Sequence, residues 1–577
     1  MENMEDESRV KDDNLPNREV NGYISKMCFN NGKTIDIQKD SIVIFVGPNN
    51  AGKSQSLKDI YILSEQKTPT TVISDIEITK EEGKLSLLLD HVAKGIERGE
   101  WINYEFMERE YTLYKNTADK QFLSEQYYGA YRDLLVANLD TTARLTICYP
   151  PNNIGRNEPR RHPIQYAAFN VECRKWLSEC YKKAFGTDIT PNAQFGGIIP
   201  LCIGDDVKLN GSFENEQTRL EAYAAILEKY KQAHEQGDGI KSFVGILLYL
   251  MLNNYHTYLI DEPESFLHPP QARIMGQIIG KTVKDKKQAF ISTHSEDIIK
   301  GLMETCPDRI KIIRITREND INAFSSLDNG MFNIVWNDPL LKYSNIMSSL
   351  FHKSVVLCES DSDCKMYSIV EDYNKQSTGK YAEALFIHCG GKHRMAKIAR
   401  ALHTLDIDVH LIPDIDVLNN KEVFKGITEA FGVDWNIIEH DYNILISDMN
   451  SSSERINREE AKTNIDIILS RSRDLYISER DLADIRSVIK STSKWATIKE
   501  TGVLGLPAGN ATAAYKRIEK VLKEKKIHIV PVGQLEGFVK EVGHHGPEWV
   551  NKVLETYPDI SSDVYTDIRQ FVEEMKL

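Results

Sequence analysis

The chain has 577 residues, 85 acidic against 71 basic, and a formal charge of −14. At about 150 residues per domain it can fold as several domains, and 41% hydrophobic with 27% charged residues excludes a largely disordered chain. The longest apolar run, 243–252, falls short of the roughly 20 residues a membrane span needs. The polar N-terminus (MENMEDESRVKDDN) lacks the apolar core of a signal peptide. A soluble, cytoplasmic protein away from membranes is expected. Nine scattered cysteines without a CxxC pair predict reduced thiols.

Residues 1–20 read as a flexible acidic lead-in. The β-branched run 41–46 (SIVIFV) predicts a buried strand, followed at once by a Gly-rich turn. From about 81 to 190 the pattern predicts a helical insertion, with Arg156, Arg160, Arg161 and His162 in one of its loops. Strand-like runs return at 197–203, 257–260, 289–292 and 310–315, with helical patterns at 216–236 and 271–283 between them. This alternation predicts an α/β fold with a mainly parallel sheet. A boundary is expected at 337–350, so the first domain covers 21–345 and a second covers 346–577. The second alternates again, with strands at 384–388, 408–412 and 527–532 after the run KSVVLCE, and helices at 364–373 and 394–405. A polar helical insertion over about 419–499 precedes its last strand.

Gly47-Pro48-Asn49-Asn50-Ala51-Gly52-Lys53-Ser54 fits G-x-x-x-x-G-K-[ST] between a strand and a helical pattern. In that setting backbone N–H groups wrap phosphates at a helix N-terminus. Gly47, Asn49, Asn50, Ala51 and Gly52 would cradle ATP, Lys53 would reach its β/γ-phosphates, and the Ser54 hydroxyl would join the Mg²⁺ shell. Tyr258-Leu259-Ile260-Asp261-Glu262-Pro263 is an apolar strand ending in two acids, Asp261 to hold Mg²⁺ through water and Glu262 to polarise the attacking water. Ile291-Ser292-Thr293-His294-Ser295 ends a further strand, with His294 suited to the γ-phosphate.

These three pieces resemble the ABC-type ATPase heads of the SMC, RecF and OLD group. The resemblance implies hydrolysis by face-to-face pairs, hence at least a homodimer, and a signature helix that closes on the partner's ATP. The run QGDGIKS at 236–242 stands where that signature belongs, and departs from its usual Ser-x-Gly form.

In the second domain, Val355-Val356-Leu357-Cys358-Glu359 and Leu411-Ile412-Pro413-Asp414-Ile415-Asp416 are strands that run into acids. Residues two apart on an extended segment face one way, so Asp414 and Asp416 can share a cation. Glu359 would complete an oxygen-rich set suited to Mg²⁺ or Mn²⁺. Such a set can activate water against a phosphodiester.

Glu359 with Asp363, then Gly390-Gly391-Lys392, then Asp-x-Asp resembles a Rossmann-like TOPRIM domain. Ser360 stands where that family commonly has glycine, and Asp361 is an alternative to Asp363. Pro531-Val532-Gly533-Gln534-Leu535-Glu536-Gly537-Phe538 is similar to the end of the nuclease-type TOPRIM. This implies Glu536 as a further metal ligand and a lysine at the transition state, for which Lys499 and Lys540 are the candidates. An ABC-type head followed by TOPRIM is the arrangement of the OLD-family nucleases, whose relatives include anti-phage effectors of the Gabija and retron systems. The resemblance implies an ATP-controlled endonuclease acting on DNA, with RNA left open. Glu262, His294, Glu359, Asp414 and Asp416 would be its catalytic residues. A helicase-like protein, or a reverse transcriptase with its DNA product, is the kind of partner implied. Two other readings stand beside it: an ATP-switched scaffold or sensor whose TOPRIM unit does not cleave, and a topoisomerase- or primase-like enzyme, for which no domain presents an evident nucleophilic tyrosine.

Overall fold

The computed structural model describes residues 15–577, apart from 108, 116, 156–157, 206, 208, 210–212, 319–320, 327–345, 452–457, 473–475 and 491–493. The chain forms two compact units, Met1–Asn333 and Ile334–Leu577. Of the expected boundary, 337–345 lies outside the described residues, as do 1–14 of the acidic lead-in. Among the described residues no helix is long and apolar enough to cross a membrane.

The first unit is built on six strands: β1 (Ile42–Val46), β2 (Val136–Leu139), β3 (Thr257–Asp261), β4 (Gln288–Ser292), β5 (Ile310–Glu318) and β6 (Ile321–Ser326). They lie in the order β6-β5-β1-β4-β3-β2, all neighbours parallel except the β5–β6 hairpin. Every residue of β1 and β4 is buried, as expected of parallel strands covered on both faces. The helices that carry the site are α1 (Lys53–Glu65), α2 (Thr141–Thr146), α3 (Asp238–Leu252), α4 (Pro269–Thr282) and α5 (Glu296–Met303). A Cβ on Gly245 of α3 would fall inside the contact radius of the Arg144 carbonyl. Glycine there lets α3 lie directly on α2.

Three expectations need correction in this unit. The stretch 81–190 is not simply helical: Ile96–Arg98, Trp101–Phe106 and Arg109–Tyr114 form an antiparallel sheet, and β2 joins the core. From Glu110 to Tyr114 burial alternates residue by residue, a period-two signal obscured by its charged neighbours, and β2 is too short to show a period. The strand expected at 197–203 begins only at Leu201, after a proline, and the helix expected at 216–236 ends at Leu227.

The second unit has three parallel strands, β7 (Ser354–Cys358), β8 (Ala384–His388) and β9 (Asp408–Ile412), in the order β8-β7-β9. Around them run α6 (Asp361–Ser377), α7 (Lys392–Thr404) and α8 (Lys421–Ala430). The polar stretch continues as helices Trp435–Ser451, Arg458–Leu469, Glu479–Lys490 and α9 (Lys494–Thr501). The run 527–532 is not a full strand. It bridges β9 only at Ile527–Leu411, although the N–H groups of His528 and Val530 donate to the Leu411 and Pro413 carbonyls. Pro531 has no N–H to extend the ladder.

Candidate nucleotide site and candidate metal centre

In the first unit, register sets the site. Ser292 of β4 lies opposite Phe45 of β1 and Asp261 of β3. The loop 47–52, the pair Asp261–Glu262 and His294 therefore leave one edge of the sheet, beyond the carboxyl ends of its strands, where ligands of open α/β sheets bind. Gly47 has φ 142°, and a Cβ on it would run into the Ile315 carbonyl of β5. Asn50 and Gly52 also take positive φ, the kind of loop backbone that groups N–H donors into an anion nest. Asn49 and Asn50 are exposed and Ala51 is buried. Asn322 of β6 ties the loop down, its Nδ2 donating to the Ala51 carbonyl at 2.7 Å.

Lys53, the first residue of α1, donates Nζ to the carbonyls of Gly47 (3.0 Å) and Pro48 (2.7 Å). Burial draws its ammonium down to about 8, against the charges of Glu262, Glu264 and Asp261, which favour the protonated form. Ser54 follows in the same turn. Across the site, the Ser292 hydroxyl donates to Asp261 Oδ1, and the Ser265 hydroxyl donates to Glu262 Oε2 at 3.1 Å. Glu262 is held at φ 46°. The fully buried guanidinium of Arg144 donates Nη1 to the carbonyls of Asp261 (2.6 Å) and Glu262 (3.0 Å), and Nη2 to Thr141 Oγ1 (3.2 Å). Glu264 Oε1 accepts the His294 N–H at 2.7 Å, and burial raises its carboxyl. Burial, then the charge of Lys53, lowers His294.

The expected residues Gly47 to Ser54, Asp261, Glu262 and His294 thus meet at one sheet edge. QGDGIKS opens α3 with Gly237 as its cap, and Gly239 lies against the Phe266 carbonyl in the loop after Glu262. Nothing in the sequence marks Arg144 or Asn322, which act from 117 and 271 residues away. Glu264 had a signal: a third acid in the loop that already held two.

The second unit repeats the device with different chemistry. Cys358 lies opposite both His388 and Ile412, so Glu359, Gly390 and Asp414 leave the same edge. One carboxylate oxygen each from Glu359, Asp414 and Asp416 lies within 4.8 Å of the others. The cause differs from the expected strand pleat. β9 ends at Ile412, Asp416 lies in a 3₁₀ turn (Ile415–Asn419), and the Ile415 N–H donates to the Gly533 carbonyl at 2.9 Å. Lys499 Nζ stands 3.2 Å from Asp414 and 3.6 Å from Asp416, and Lys392 Nζ stands 2.9 Å from Asp416. Burial, with the nearby Glu359 charge, pushes Asp414 up to about 8 despite Lys499. Burial, with Asp416, raises Glu359 as well.

Glu359 Oε2 and Asp416 Oδ1 are buried and find no hydrogen-bond partner among the described residues. Oxygens left so are costly unless something polar meets them, and an all-carboxylate set fits a hard divalent cation. Asp363 and Glu536 stand outside the three-residue cluster. Asp363 accepts the Ser360 N–H at 2.8 Å in a capping box of α6, and Glu536 accepts the Gly546 N–H at 2.8 Å. Asp361 pairs with Lys365. Of the two candidate lysines only Lys499 reaches the acids; Lys540 lies exposed in a 3₁₀ turn. Lys392 closes the Gly390-Gly391-Lys392 motif, and its pairing with Asp416 across 24 residues is a tertiary contact that no spacing gives.

One comparison with known proteins falls within the first unit. Residues 172–299, which include α3, β3, α4 and β4, match the family model of an AAA ATPase domain. The chain carries an ATPase domain, with ATP as its nucleotide. Over 101 residues, 16% of this chain and 87% of the relative, it is 34% identical to the uncharacterized protein MJECL11 of Methanocaldococcus jannaschii. The chain belongs to the family of this archaeal protein. Partial superpositions extend to SMC heads. One, bound to the C-winged helix domain of ScpA, has 13% identity and TM-score 0.33 over 53% of this chain and 98% of that one. The SMC head domain from Thermotoga maritima has 13% identity and TM-score 0.28 over 54% and 100%.

Proposed function

We propose that the chain is an ATP-controlled, divalent-metal-dependent endonuclease, an ABC-type head in the first unit driving a TOPRIM-type nuclease in the second. The observation that carries this reading is the cluster of Glu359, Asp414 and Asp416, with two orphaned buried oxygens and Lys499 at its side. Mg²⁺ or Mn²⁺ held by these carboxylates would supply Lewis acidity toward a phosphodiester. Lys499 offers its ammonium to the charge that builds on the phosphoryl oxygens, and Lys392 holds Asp416 in place. By the resemblance, Asp363 and Glu536 belong to the same centre.

In the head, Lys53 exchanges its loop carbonyls for the β/γ-phosphates of ATP. Ser54 and Asp261 would hold Mg²⁺, Glu262 would orient the attacking water, and His294 would meet the γ-phosphate. Paired heads make the working form a homodimer or a larger homo-oligomer. DNA is the proposed substrate, RNA sharing the same chemistry, and anti-phage defence beside a helicase-like or reverse-transcriptase partner is the proposed setting. One observation favours a second reading: Lys392 and Lys499 already form ion pairs with Asp416 and Asp414, which suits a non-cleaving unit switched by ATP.

Cleavage of supercoiled plasmid and single-stranded DNA with Mg²⁺ or Mn²⁺, with and without ATP, separates the two. Cutting that disappears in Asp414→Ala supports the nuclease, and the ATP and Lys53→Ala lanes give the sign of nucleotide control. A parent protein that cuts nothing under any condition refutes the nuclease and leaves the switched scaffold.

A further inference from the structure

The acid centre adjoins α7, whose composition departs from that of the chain. In a sequence with 85 acidic and 71 basic residues, its thirteen residues (KHRMAKIARALHT) hold Lys392, Arg394, Lys397 and Arg400, two histidines and no acid. Helical spacing sorts them onto two faces. Met395, Ile398, Ala399 and Leu402 are buried, while His393, Arg394, Lys397 and Arg400 are exposed. Cations in the first turn oppose the helix dipole, so helix formation does not account for Lys392 and Arg394.

The cationic face starts at the acids. Lys392 pairs with Asp416, and the Gly391 N–H donates to the Glu359 carbonyl at 3.0 Å. The Arg394 guanidinium folds back over the strand-to-helix turn, with Nη1 2.8 Å from where a Cβ on Gly390 would lie. Further along, Arg400 leans toward α8, donating Nη2 to the Gly426 carbonyl at 3.1 Å.

We propose that the solvent face of α7 is the track on which the sugar–phosphate backbone of a polynucleotide lies as it enters the acid centre. The destination rests on the nuclease reading; the surface itself does not. Arg394 to Arg400 spans six residue steps, about 9 Å at 1.5 Å each. That matches the axial rise of two to three nucleotides of one duplex strand, about 3.4 Å each. An acidic protein would bring carboxylates toward Glu359, Asp414 and Asp416 with no bond there to react. A phosphodiester chain is the polyanion that those acids, holding a metal, would act on. Contacts of this kind fix position and carry no sequence information, so binding without base preference is expected.

The test uses the full chain and two labelled probes, a DNA duplex and a single strand. Fluorescence anisotropy is read in Ca²⁺ across a salt series, for the parent, K397E/R400E and K397Q/R400Q. Both variants are expected to weaken binding at least tenfold at the lowest salt. Each should flatten the salt dependence by about 2 in log–log slope on duplex, and somewhat less on the single strand. Their circular dichroism and their Mn²⁺-dependent hydrolysis of bis(p-nitrophenyl) phosphate, an ester too small to reach the track, should match the parent. Variants that keep parental affinity and slope overturn the proposal, as does a parent that binds neither probe. A parent that binds through α7 yet hydrolyses no phosphodiester sinks the nuclease reading and leaves the track standing.

Discussion

Arg144→Met tests how the carboxylates at the end of β3 are held. Methionine keeps the unbranched stem of the side chain and removes every donor. The carbonyls of the half-buried Asp261 and Glu262 then lose bonds of 2.6 and 3.0 Å from a fully buried guanidinium. A buried carbonyl left without its donor costs about 1–3 kcal/mol, so two cost roughly 2–6 kcal/mol. Burial already lowers the Arg144 guanidinium, and relief from burying that charge returns part of the loss. The first unit is therefore expected to lose about 3 kcal/mol in urea unfolding followed by circular dichroism. A second effect is catalytic. Glu262 sits at φ 46°, a conformation costing about 1–2 kcal/mol, and without the guanidinium its peptide can relax. A carboxylate displaced by about 1 Å loses on the order of a hundredfold in rate, read as phosphate release from ATP. Affinity for ATP, carried by the 47–54 loop, should change less than about threefold, by titration with a fluorescent analogue. Arg144→Lys should fall between, because one ammonium cannot fork across both carbonyls. Arg144→Met protein with parental unfolding and parental ATP turnover would refute the reasoning.

Gly47→Ala places a methyl on the Ile315 carbonyl at φ 142°. It should abolish ATP binding and lower the urea midpoint, and parental affinity would contradict the loop geometry. Lys499→Met is expected to lose at least about a hundredfold in metal-dependent phosphodiester hydrolysis, and Lys540→Met to lose nothing; equal losses would show that the ion pair to Asp414 is not what selects the lysine. The buried His256 accepts the Gly22 N–H at 3.1 Å, and burial, with Lys287 nearby, holds it down to about 3. The unfolded chain takes that proton near pH 6.5, so stability present above 6.5 falls by about 1.4 kcal/mol per unit as pH drops toward 3. His256→Gln should show a shallower decline between pH 6.5 and 5, and parallel profiles would refute the assignment.

The parts legible in the sequence are those whose function needs neighbours along the chain. Gly47 to Ser54 is one loop, Asp261 and Glu262 are adjacent, and Asp414 and Asp416 are two apart. The convergence of Asp414 with Asp416 was foreseen for the wrong reason: a 3₁₀ turn tied to Gly533, rather than a strand pleat, brings them together. What stayed hidden depends on tertiary distance. Arg144 meets Asp261 only because Gly245 lets α3 lie on α2, and Asn322 meets Ala51 only because β6 pairs with β5 at the sheet edge. Strand β2 has four residues and is central to no pattern, yet it extends the core sheet beside β3. Lys499 is selected over Lys540 by the packing of α9, a fact no spacing contains.

The two units solve one electrostatic problem in opposite senses. In each, a strand runs into a turn whose last glycine has positive φ, Gly52 at 104° and Gly391 at 108°, and the next residue is a lysine that starts a helix. A cation at a helix N-terminus works against the helix dipole, so in both places an anion has to compensate. Lys53 donates to neutral carbonyls of its own loop, and the carboxylates of Asp261 and Glu262 accept from the hydroxyls of Ser292 and Ser265. The charges of Glu262, Glu264 and Asp261 favour its ammonium, and in the proposed function the phosphates of ATP would add the directly bonded anion. Lys392 is already paired with Asp416, and Lys499 with Asp414. There the lysines answer the chain's own acids, and the orphaned oxygens of Glu359 and Asp416 call for a cation. In the proposed function the same strand–glycine–lysine corner would make an anion site where the facing acids are hydrogen-bonded to hydroxyls, and a cation site where they converge.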